Sequence, residues 1–277
     1  MKIKHIVLSI VVIISLIAVN NPAVNAASLT YKEDSKYKQS ILLYINEFYL
    51  LYTTPNGLYI DKQNRTMVPL RSFTKLFGAN ASYDAKSKTA VVKYEEQSLK
   101  LTLNSNTIYI NGEAQQMDTS SVMKNSSFYL PLKSIVDTFH IQSEQLSMNG
   151  GGRIIVLKDS RFVDQGPLKL INEKKMKEQS SSDKNHGVFP RSITLEKSKN
   201  ILQMKIDSQN VVGQKVNYSD VDLGVWLVMK NEVSKVTPLS TKDYVIGKGD
   251  LFSHQYTVKD SRIGDVEYIV SYPMLKN

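Results

Sequence analysis

The sequence predicts an α+β protein in which a duplicated β-β-α-β domain is followed by an all-β domain. Two observations support the first half of this prediction. A segment around Pro69 recurs around Pro131, and each copy combines strand-like alternation with one short amphipathic helix. A third observation supports the second half, because short strand-like segments recur from Ile193 onward at intervals of roughly ten residues. Of the 277 residues 42% are apolar and 22% are charged, a balance typical of a folded chain with one or two cores.

The repeat extends beyond the two prolines. Thr66–Gly78 aligns with Phe128–His140, and the prolines lie 131 − 69 = 62 positions apart. Two flanking matches have similar offsets: Leu43–Asn46 with Ile108–Asn111 at 65, and Val91–Val92 with Ile154–Ile155 at 63. Offsets that differ by only a few residues indicate two copies of one unit with small changes in their loops. The copies span about residues 41–94 and 107–158.

Each copy begins with a predicted hairpin. The alternating segments Ile41–Ile45 and Thr107–Asn111 are typical of half-buried strands. They turn at Asn46-Glu47 and at Asn111-Gly112, residue types that tight turns favour. A second strand is expected to follow each turn.

Each copy then predicts one short helix. Pro69 and Pro131 mark the first helical turn, where a missing N–H costs nothing. The apolar residues that follow recur at spacings of three and four and share one face; they are Leu70, Phe73, Leu76 and Phe77, and then Leu132, Ile135, Val136 and Phe139. Gly78 is placed to end the first helix in a left-handed conformation, whereas His140 predicts a less well capped second helix. The closing strands are Ala90–Lys93 and Ile154–Leu157.

Several motifs occur together in these copies: Val68–Arg71, Leu76–Ala79, Tyr83–Asp84, Val91–Val92 and Tyr109–Gly112. In this combination the sequence resembles the copper amine oxidase N-terminal-like (stalk) domain of secreted Gram-positive bacterial proteins. The resemblance covers about residues 38–158. The second copy departs from the family pattern at Lys133, where Arg is expected, and at His140, where Gly is expected.

The resemblance implies no copper chemistry, because in copper amine oxidases the copper and the quinone belong to a separate catalytic domain. The quinone motif would need Thr, two residues and then Asn-Tyr followed by an acid. The nearest string, Gln214–Ser219, has neither the Thr nor the acid. His140, His186 and His254 form no His-x-His pair. We therefore expect no amine oxidase activity and no cofactor.

Residues 1–26 are typical of an export signal. Lys2 and Lys4 precede the apolar run Ile6–Val19, and Val24–Ala26 offers small residues for cleavage before Ala27. The alternative is an uncut membrane anchor, for which the run is short of the ~20 residues that a span needs. Cleavage would remove two Lys and change the net charge from 35 − 26 = +9 to 33 − 26 = +7. We expect a secreted, extracellular protein without a transmembrane anchor, with cell-wall association left open.

The amino-acid composition of the chain changes after the second copy. Residues 159–190 are polar, charged and Ser-rich, which predicts a linker, and the basic residues Lys174, Lys175 and Lys177 within it are expected to be solvated rather than to bind an anion. Residues 191–277 predict a β-sandwich domain. The apolar run Leu223–Met229 around Trp226, together with Tyr268–Tyr272, is consistent with an immunoglobulin-like core.

The composition excludes more chemistry than it suggests. With no Cys the chain has no disulfide, thiolate nucleophile, Cys-ligated zinc or lipid-modified N-terminal Cys. Neither a nucleophile elbow, a phosphate loop nor a zinc-protease motif occurs, and Asn149–Arg153 is Gly-rich but precedes a strand rather than a helix. The adjacent or alternating acids Glu95-Glu96 and Asp220/Asp222 are more typical of solvated positions than of a calcium site. No residue is assigned a catalytic, cofactor-binding or metal-binding role.

The leading hypothesis is a secreted, non-catalytic, cell-envelope-associated binding or spacer module. Its partner would be an anionic cell-wall polymer or a secreted or surface protein, and not nucleic acid. A rival hypothesis is a secreted hydrolase with its site on the C-terminal domain, which predicts a concave cluster of carboxylates around His254. A third is a regulator or inhibitor of a secreted partner, presented through loops such as Gly247–Asp250.

Overall fold

The computed structural model describes residues 37–39, 41–53, 57–147, 153–177, 188–230, 232–239 and 243–275. The expected signal segment, residues 1–26, lies outside these ranges. The described residues are mostly β-strand and contain three α-helices: α1 (Leu70–Leu76), α2 (Leu132–Thr138) and α3 (Gly166–Lys177).

The strands are numbered in chain order. They are β1 (Tyr37–Gln39), β2 (Ile41–Ile45), β3 (Phe48–Thr53), β4 (Tyr59–Ile60), β5 (Thr66–Pro69), β6 (Asn80–Asp84), β7 (Thr89–Tyr94), β8 (Gln97–Thr102), β9 (Thr107–Ile110), β10 (Glu113–Gln116), β11 (Val122–Lys124), β12 (Ser127–Pro131), β13 (Gln142–Ser147), β14 (Arg153–Lys158), β15 (Val188–Lys197), β16 (Ile201–Asn210), β17 (Val216–Asn217), β18 (Val221–Met229), β19 (Glu232–Val236), β20 (Val245–Ile246), β21 (Leu251–Lys259) and β22 (Val266–Leu275).

A seven-stranded sheet lies at the centre, in the order β13-β14-β2-β3-β22-β18-β19. Its β14–β2 pair is parallel, and its other neighbouring pairs are antiparallel. Around it the described strands form a five-stranded sheet (β10-β9-β8-β7-β6), two four-stranded sheets (β1-β15-β16-β21 and β11-β12-β5-β4) and the short pair β17-β20.

Both faces of the central sheet are buried. Side chains alternate between faces along a strand, so Phe48 and Leu50 face the core that contains α1 and α2, whereas Tyr49 and Leu51 face the sheet of β15, β16 and β21. The run Leu223–Met229 is almost continuously apolar for the same reason, because both of its faces need apolar cover.

The C-terminal strands are not a self-contained domain. β22 pairs with β3, with Tyr268 opposite Thr53, and so joins the expected stalk-like domain to the expected sandwich within one sheet. The two layers predicted for residues 191–277 are present, but one of them is completed by β2, β3 and β14. The structure therefore differs from the expected division into residues 38–158 and 191–277, and from an independent immunoglobulin-like core around Trp226.

The described part of the expected linker, residues 159–177 and 188–190, has regular structure. It contains a short 3₁₀ turn (Ser160–Val163) and helix α3, whose Leu168 and Ile171 are buried in the core with α1. Gly166 has φ +67° and lies so close to the end of α1 that an added Cβ would be 2.8 Å from the amide nitrogen of Gly78. The prediction of a solvated linker is wrong for α3, because two apolar side chains among polar neighbours suffice to anchor one helix face. Residues 178–187 lie outside the described ranges.

Two segments have the same order of elements: β5-α1-β6-β7 and β12-α2-β13-β14. Strands β5 and β12 pair antiparallel, with Val68 opposite Leu130, so the two segments meet back to back. The predicted hairpin turns are also observed, with Asn46 and Asn111 both at positive φ. Each proline is the extended residue just before its helix rather than a member of the first turn.

The two short helices end alike despite different residues. Gly78 has φ +83° and His140 has φ +55°, so both adopt the left-handed conformation. The amide of Ala79 donates to the carbonyl of Thr74, and that of Ile141 to the carbonyl of Val136, each at 3.0 Å. The predicted glycine cap is confirmed, and the second helix has the same hydrogen-bonded end with a residue that disfavours its backbone conformation.

We expect His140→Gly to stabilise the protein by about 1 kcal/mol, because Gly adopts positive φ without the strain that a Cβ introduces. Gly78→Ala should destabilise it by more than that amount, since its Cβ would also lie 2.8 Å from the Cβ of Gln165. Urea-induced unfolding of the three proteins measures both changes. If His140→Gly instead lowers the free energy of unfolding, the contacts of the His140 side chain stabilise the protein by more than the strain of its backbone destabilises it.

Candidate functional site

A groove of about 480 Å³ opens beside the start of helix α1. Its walls come from α1, from strand β6, from the turn between β11 and β12 and from the start of β22. We call it the α1 groove and define it by Arg71, Ser82, Tyr83, Met123, Phe128 and Glu267.

Contacts between α1 and β22 hold one wall in place. The Tyr268 hydroxyl donates to the carbonyl of Ser72 at 2.8 Å. The Lys75 ammonium donates to both carboxylate oxygens of Glu267, at 2.7 and 2.6 Å. The helix is thus tied to a strand of the central sheet, which makes the wall a fixed surface.

The floor of the groove is apolar. The rings of Tyr83 and Phe128 lie 5.7 Å apart between centroids, in a tilted arrangement. Phe128 is buried and Tyr83 is half-buried, whereas Met123 at the rim is 41% exposed. An exposed Met next to an aromatic pair offers an adaptable apolar contact to a ligand.

Arg71 supplies the charge of the groove. It is exposed, and it makes no ion pair with any residue that the structure describes. Lys75, one turn further along α1, is neutralised by Glu267. Arg71 therefore presents a guanidinium whose donors can bind a carboxylate or phosphate group.

A second groove, of about 340 Å³, lies beside helix α2. Positions that line it match positions that line the α1 groove at an offset of 62. Four residues of the α2 groove have a partner in the α1 groove: Pro131 with Pro69, Leu132 with Leu70, Lys133 with Arg71, and Gln145 with Tyr83. In the fifth pair the α2 groove contributes the earlier residue, Thr66, which matches Phe128 of the α1 groove. Each groove takes its helix and strand from one segment and its hairpin turn from the other. The antiparallel pairing of β5 with β12 therefore brings the turn of each segment to the helix of the other.

The α2 groove differs in chemistry from the α1 groove. Arg65 lies 2.9 Å from Asp118, and Lys133 lies 2.5 Å from Asp137. The aromatic pair is replaced, since Gln145 and Thr66 stand where the α1 groove has Tyr83 and Phe128. The α2 groove therefore has neutralised cations and polar side chains at the positions where the α1 groove has its guanidinium and its apolar floor.

His254 does not form the site that the hydrolase hypothesis predicts. Its side chain is fully buried in β21, against the rings of Tyr218 and Phe252 at 5.2 and 5.1 Å. Burial lowers the pKa of His254 to about 4, and the backbone of Val221 offsets only part of that effect. Among the described residues no carboxylate hydrogen-bonds to its ring. A neutral imidazole enclosed by aromatic rings cannot reach a substrate in solution.

The other described histidines and acids that the sequence analysis considered do not lie together in one site. His140 is exposed at the end of α2, and Glu95 pairs with Arg161 at 2.8 Å. Asp220 accepts a hydrogen bond from Asn217 at 2.8 Å. His186, residues 149–152 and the side chains of Asp222, Lys175 and Lys177 lie outside the described part of the structure. Lys174 donates to the carbonyl of Val233 at 2.6 Å, so its ammonium is held against strand β19.

The loop Gly247–Asp250 is held by the residues beneath it. The buried side chain of Asn210 donates to the carbonyl of Gly247 at 2.9 Å, and the amide of Gly247 donates to the carboxylate of Asp250 at the same distance. Nearby, Tyr218 of the quinone-like string is buried and stacks on Tyr244 at 5.1 Å.

One local motif was not found from the sequence. The identical strings Lys158–Arg161 and Lys259–Arg262 each end a strand and start a 3₁₀ turn. In both, the Asp caps the turn and also pairs with the Arg of the same string. The two strings are identical in all four residues and lie 259 − 158 = 101 positions apart, so a comparison of the sequence with itself at that offset would have found the motif.

Arg161 connects parts of the chain that are distant in sequence. Beyond Asp159, it donates to the carboxylate of Glu95 at 2.8 Å and to the carbonyl of Phe139 at 2.7 Å. Its guanidinium also lies 4.8 Å from the ring centre of Tyr94. These partners follow the end of β7 in one case and the end of α2 in the other, so Arg161 has a structural role.

The described residues do not fit a copper or other metal site. No group of three or more His, Asp or Glu side chains is close enough to hold an ion within those ranges. Copper binds imidazole and sulfur ligands in defined geometries, and the buried His254 has aromatic neighbours instead. Of the described helices, none has the length and apolarity needed to cross a membrane.

The structure is that of a β-rich protein with two segments that have the same order of strands and helix. Residues 51–150 match the family model of the copper amine oxidase N-terminal domain. The chain therefore contains a copper amine oxidase N-terminal-like domain, which the sequence motifs predicted. The matched domain is not the catalytic domain of that family. No curated protein matches the chain.

The buried His254 should make stability depend on pH. In the unfolded chain a histidine titrates at about 6.5, whereas the folded pKa is about 4. Between these values the unfolded state binds a proton that the folded state excludes, so stability falls as the pH is lowered from 6.5 toward 4. We expect His254 to account for up to about 3 kcal/mol of that loss.

The measurement compares unfolding free energies of the wild type and His254→Phe across this pH range. Their difference should change with pH, because the phenyl ring of the variant has no proton to gain. A pH-independent difference for His254→Phe would contradict the burial argument.

Arg161→Lys should destabilise the protein by about 1–3 kcal/mol, because Lys cannot serve Asp159, Glu95 and the carbonyl of Phe139 at once. The matched control is Arg262→Lys, which changes the same motif at a site where the arginine is more exposed, 47% against 26%. Its effect should be clearly smaller. Equal losses, measured by urea-induced unfolding, would show that the extra contacts of Arg161 contribute nothing.

Proposed function

We propose that the protein is a secreted, non-catalytic binding module of the cell envelope and that the α1 groove is its binding surface. The observation on which this rests is the groove itself. An aromatic pair, an exposed Met and an Arg with no ion-pair partner in the described ranges lie together on walls that the central sheet holds in place. Pockets with apolar walls and a few fixed polar groups are the usual form of ligand sites.

The remaining titratable groups support binding rather than catalysis. A hydrolase needs a base and a nucleophile or metal within hydrogen-bonding distance of each other. The buried His254 has aromatic neighbours, and Asp159 and Asp260 are engaged by the arginines of their own motifs. A binding module requires none of these groups to react.

Duplication would explain why two grooves in the described part of the structure match each other. We infer that β5-α1-β6-β7 and β12-α2-β13-β14 descend from one unit, since equivalent positions line both grooves at an offset of 62. In this proposal the second groove lost its ligand contacts when ion pairs replaced them. The spacer role of the leading hypothesis would then belong to the framework and the binding role to the α1 groove.

The envelope location rests on the sequence. The proposed signal in residues 1–26 directs export, and the mature chain has a net charge of +7, which favours contact with anionic surfaces and polymers. Weak attraction of this kind is reduced by salt. A specific groove contact would persist at salt concentrations that remove the general attraction.

The test is co-sedimentation of the exported protein, residues 27–277, with purified envelopes of a Gram-positive bacterium over a range of salt concentrations. We expect Arg71→Gln and Tyr83→Ala each to reduce salt-resistant binding by about tenfold, as loss of a central contact does. The matched controls are Lys93→Gln and Tyr109→Ala, which change an exposed cation and an exposed Tyr outside the groove. These two should bind like the wild type.

Thermal unfolding of each variant tests whether the groove substitutions leave the fold intact, and we expect midpoints close to that of the wild type. If the wild-type protein does not sediment with envelopes at low salt, the envelope role is wrong. If it sediments and the groove variants match the controls, the α1 groove is not the binding surface.

A further inference from the structure

We infer that the occupant of the α1 groove is an extended acidic polypeptide segment, which adds as a strand to the outer edge of β6. This inference rests on the proposed function, because it names the ligand class of the same groove. It identifies the surface or secreted protein partner by its chemistry and not by its sequence.

Two sheet edges border the α1 groove. β6 is the outermost strand of the five-stranded sheet and contributes Ser82 to the groove, and β11 is the outermost strand of a four-stranded sheet and contributes Met123. Within the described ranges no strand pairs with the outer side of β6. Such an edge presents a row of N–H and C=O groups that an extended chain can pair with, as in β-strand addition.

Strand β6 lacks the features by which proteins usually protect an edge. Its pairing with β7 runs without a bulge from Asn80 to Asp84, and its sequence contains no Pro or Lys. Its one charged residue, Asp84, is the last of the strand and accepts hydrogen bonds from the turn that follows, so the middle of the edge carries no charge. The equivalent edge strand of the α2 groove, β13, has Glu144 at the position of Ser82, since 144 − 82 = 62. A charge in mid-strand is a known protection, so the α2 groove has a protected edge and the α1 groove does not.

The groove next to β6 suits the side chains of an added strand. Alternate residues of a strand face the same side, so every second residue of the ligand would point toward Tyr83 and Phe128. The apolar floor selects aliphatic or aromatic residues at such positions. At the helix end of the groove, the guanidinium of Arg71 selects an Asp or Glu of the ligand, because it can bind a carboxylate. Lys75 does not compete for this acid, since it is already paired with Glu267.

An anionic wall polymer fits the groove less well. Its phosphates could contact Arg71, but a polyol-phosphate chain has no N–H donors to pair with the carbonyl groups of β6 and no apolar side chain for the floor. The edge strand and the aromatic pair together therefore favour a polypeptide over the polymer.

The probe is a phage-displayed library of random peptides of about nine residues, long enough to span the edge strand. It is selected on the wild-type protein, with Arg71→Glu used for counter-selection. We expect enriched peptides to alternate apolar and polar residues and to contain an acid. A synthetic copy should lose about tenfold or more in affinity for Arg71→Glu, and its Glu→Lys counterpart should bind Arg71→Glu better than it binds the wild type.

Backbone pairing has its own control. Peptides that are N-methylated at alternate residues keep their side chains but lose N–H donors along one edge. Methylation of one of the two alternating sets should abolish binding, and methylation of the other should leave it unchanged. Equal binding of both methylated peptides would overturn strand addition, as would failure to enrich any peptide that distinguishes the wild type from Arg71→Glu.

Polyglycerol phosphate, tested on the same proteins, separates this inference from the proposed function. If the polymer binds in an Arg71-dependent manner and no peptide does, the α1 groove is the binding surface but its ligand is the polymer. If neither probe responds to Arg71→Glu and the envelope assay shows no groove dependence, the proposed function fails together with the inference.

Discussion

Strand β3 pairs with β22, and most of the structure depends on that pairing. Val270 lies opposite Leu50 and Tyr268 opposite Thr53, so a strand near the end of the chain completes a sheet that starts near its beginning. With both faces of this sheet buried, it supplies one wall to each hydrophobic core. The α1 groove depends on it as well, because Tyr268 and Glu267 of β22 hold helix α1. A domain boundary between the two halves is not compatible with this arrangement.

The two grooves have the same arrangement of helix, strand and turn but different side-chain chemistry. Helix, strand and turn occupy equivalent positions in both, so the backbone shape is common to them. The difference lies in a few side chains, with Tyr83 and Phe128 in one groove where Gln145 and Thr66 stand in the other. Ion pairs that are exposed contribute little to stability. This applies to the Lys133–Asp137 pair of the α2 groove, whose side chains are 75% and 55% exposed, and less to the other pair, in which Arg65 is 24% exposed.

Local features of the fold were predictable, whereas long-range ones were not. Turn residues such as Asn46 and Gly78 indicate a backbone conformation by their own chemistry, and the helical spacing after Pro69 identifies one buried face. The pairing of β22 with β3 has no local signal, because a strand's periodicity does not name its partner. Helix α3 was missed since only Leu168 and Ile171 mark its buried face. The groove was equally hidden, because it combines a helix of one segment with a turn of the other.

The position of β22 also determines when this chain can fold. Thr53 and Tyr268 are 268 − 53 = 215 positions apart, so the central sheet closes only after nearly all of the chain has been made. Pairings at such separation make folding slow, because a large loop must close before the contacts form. Until then the edge of β3 that β22 will cover remains exposed to other chains. In the export that we propose, the chain would therefore cross the membrane unfolded, N-terminus first, and would complete its core only on the far side.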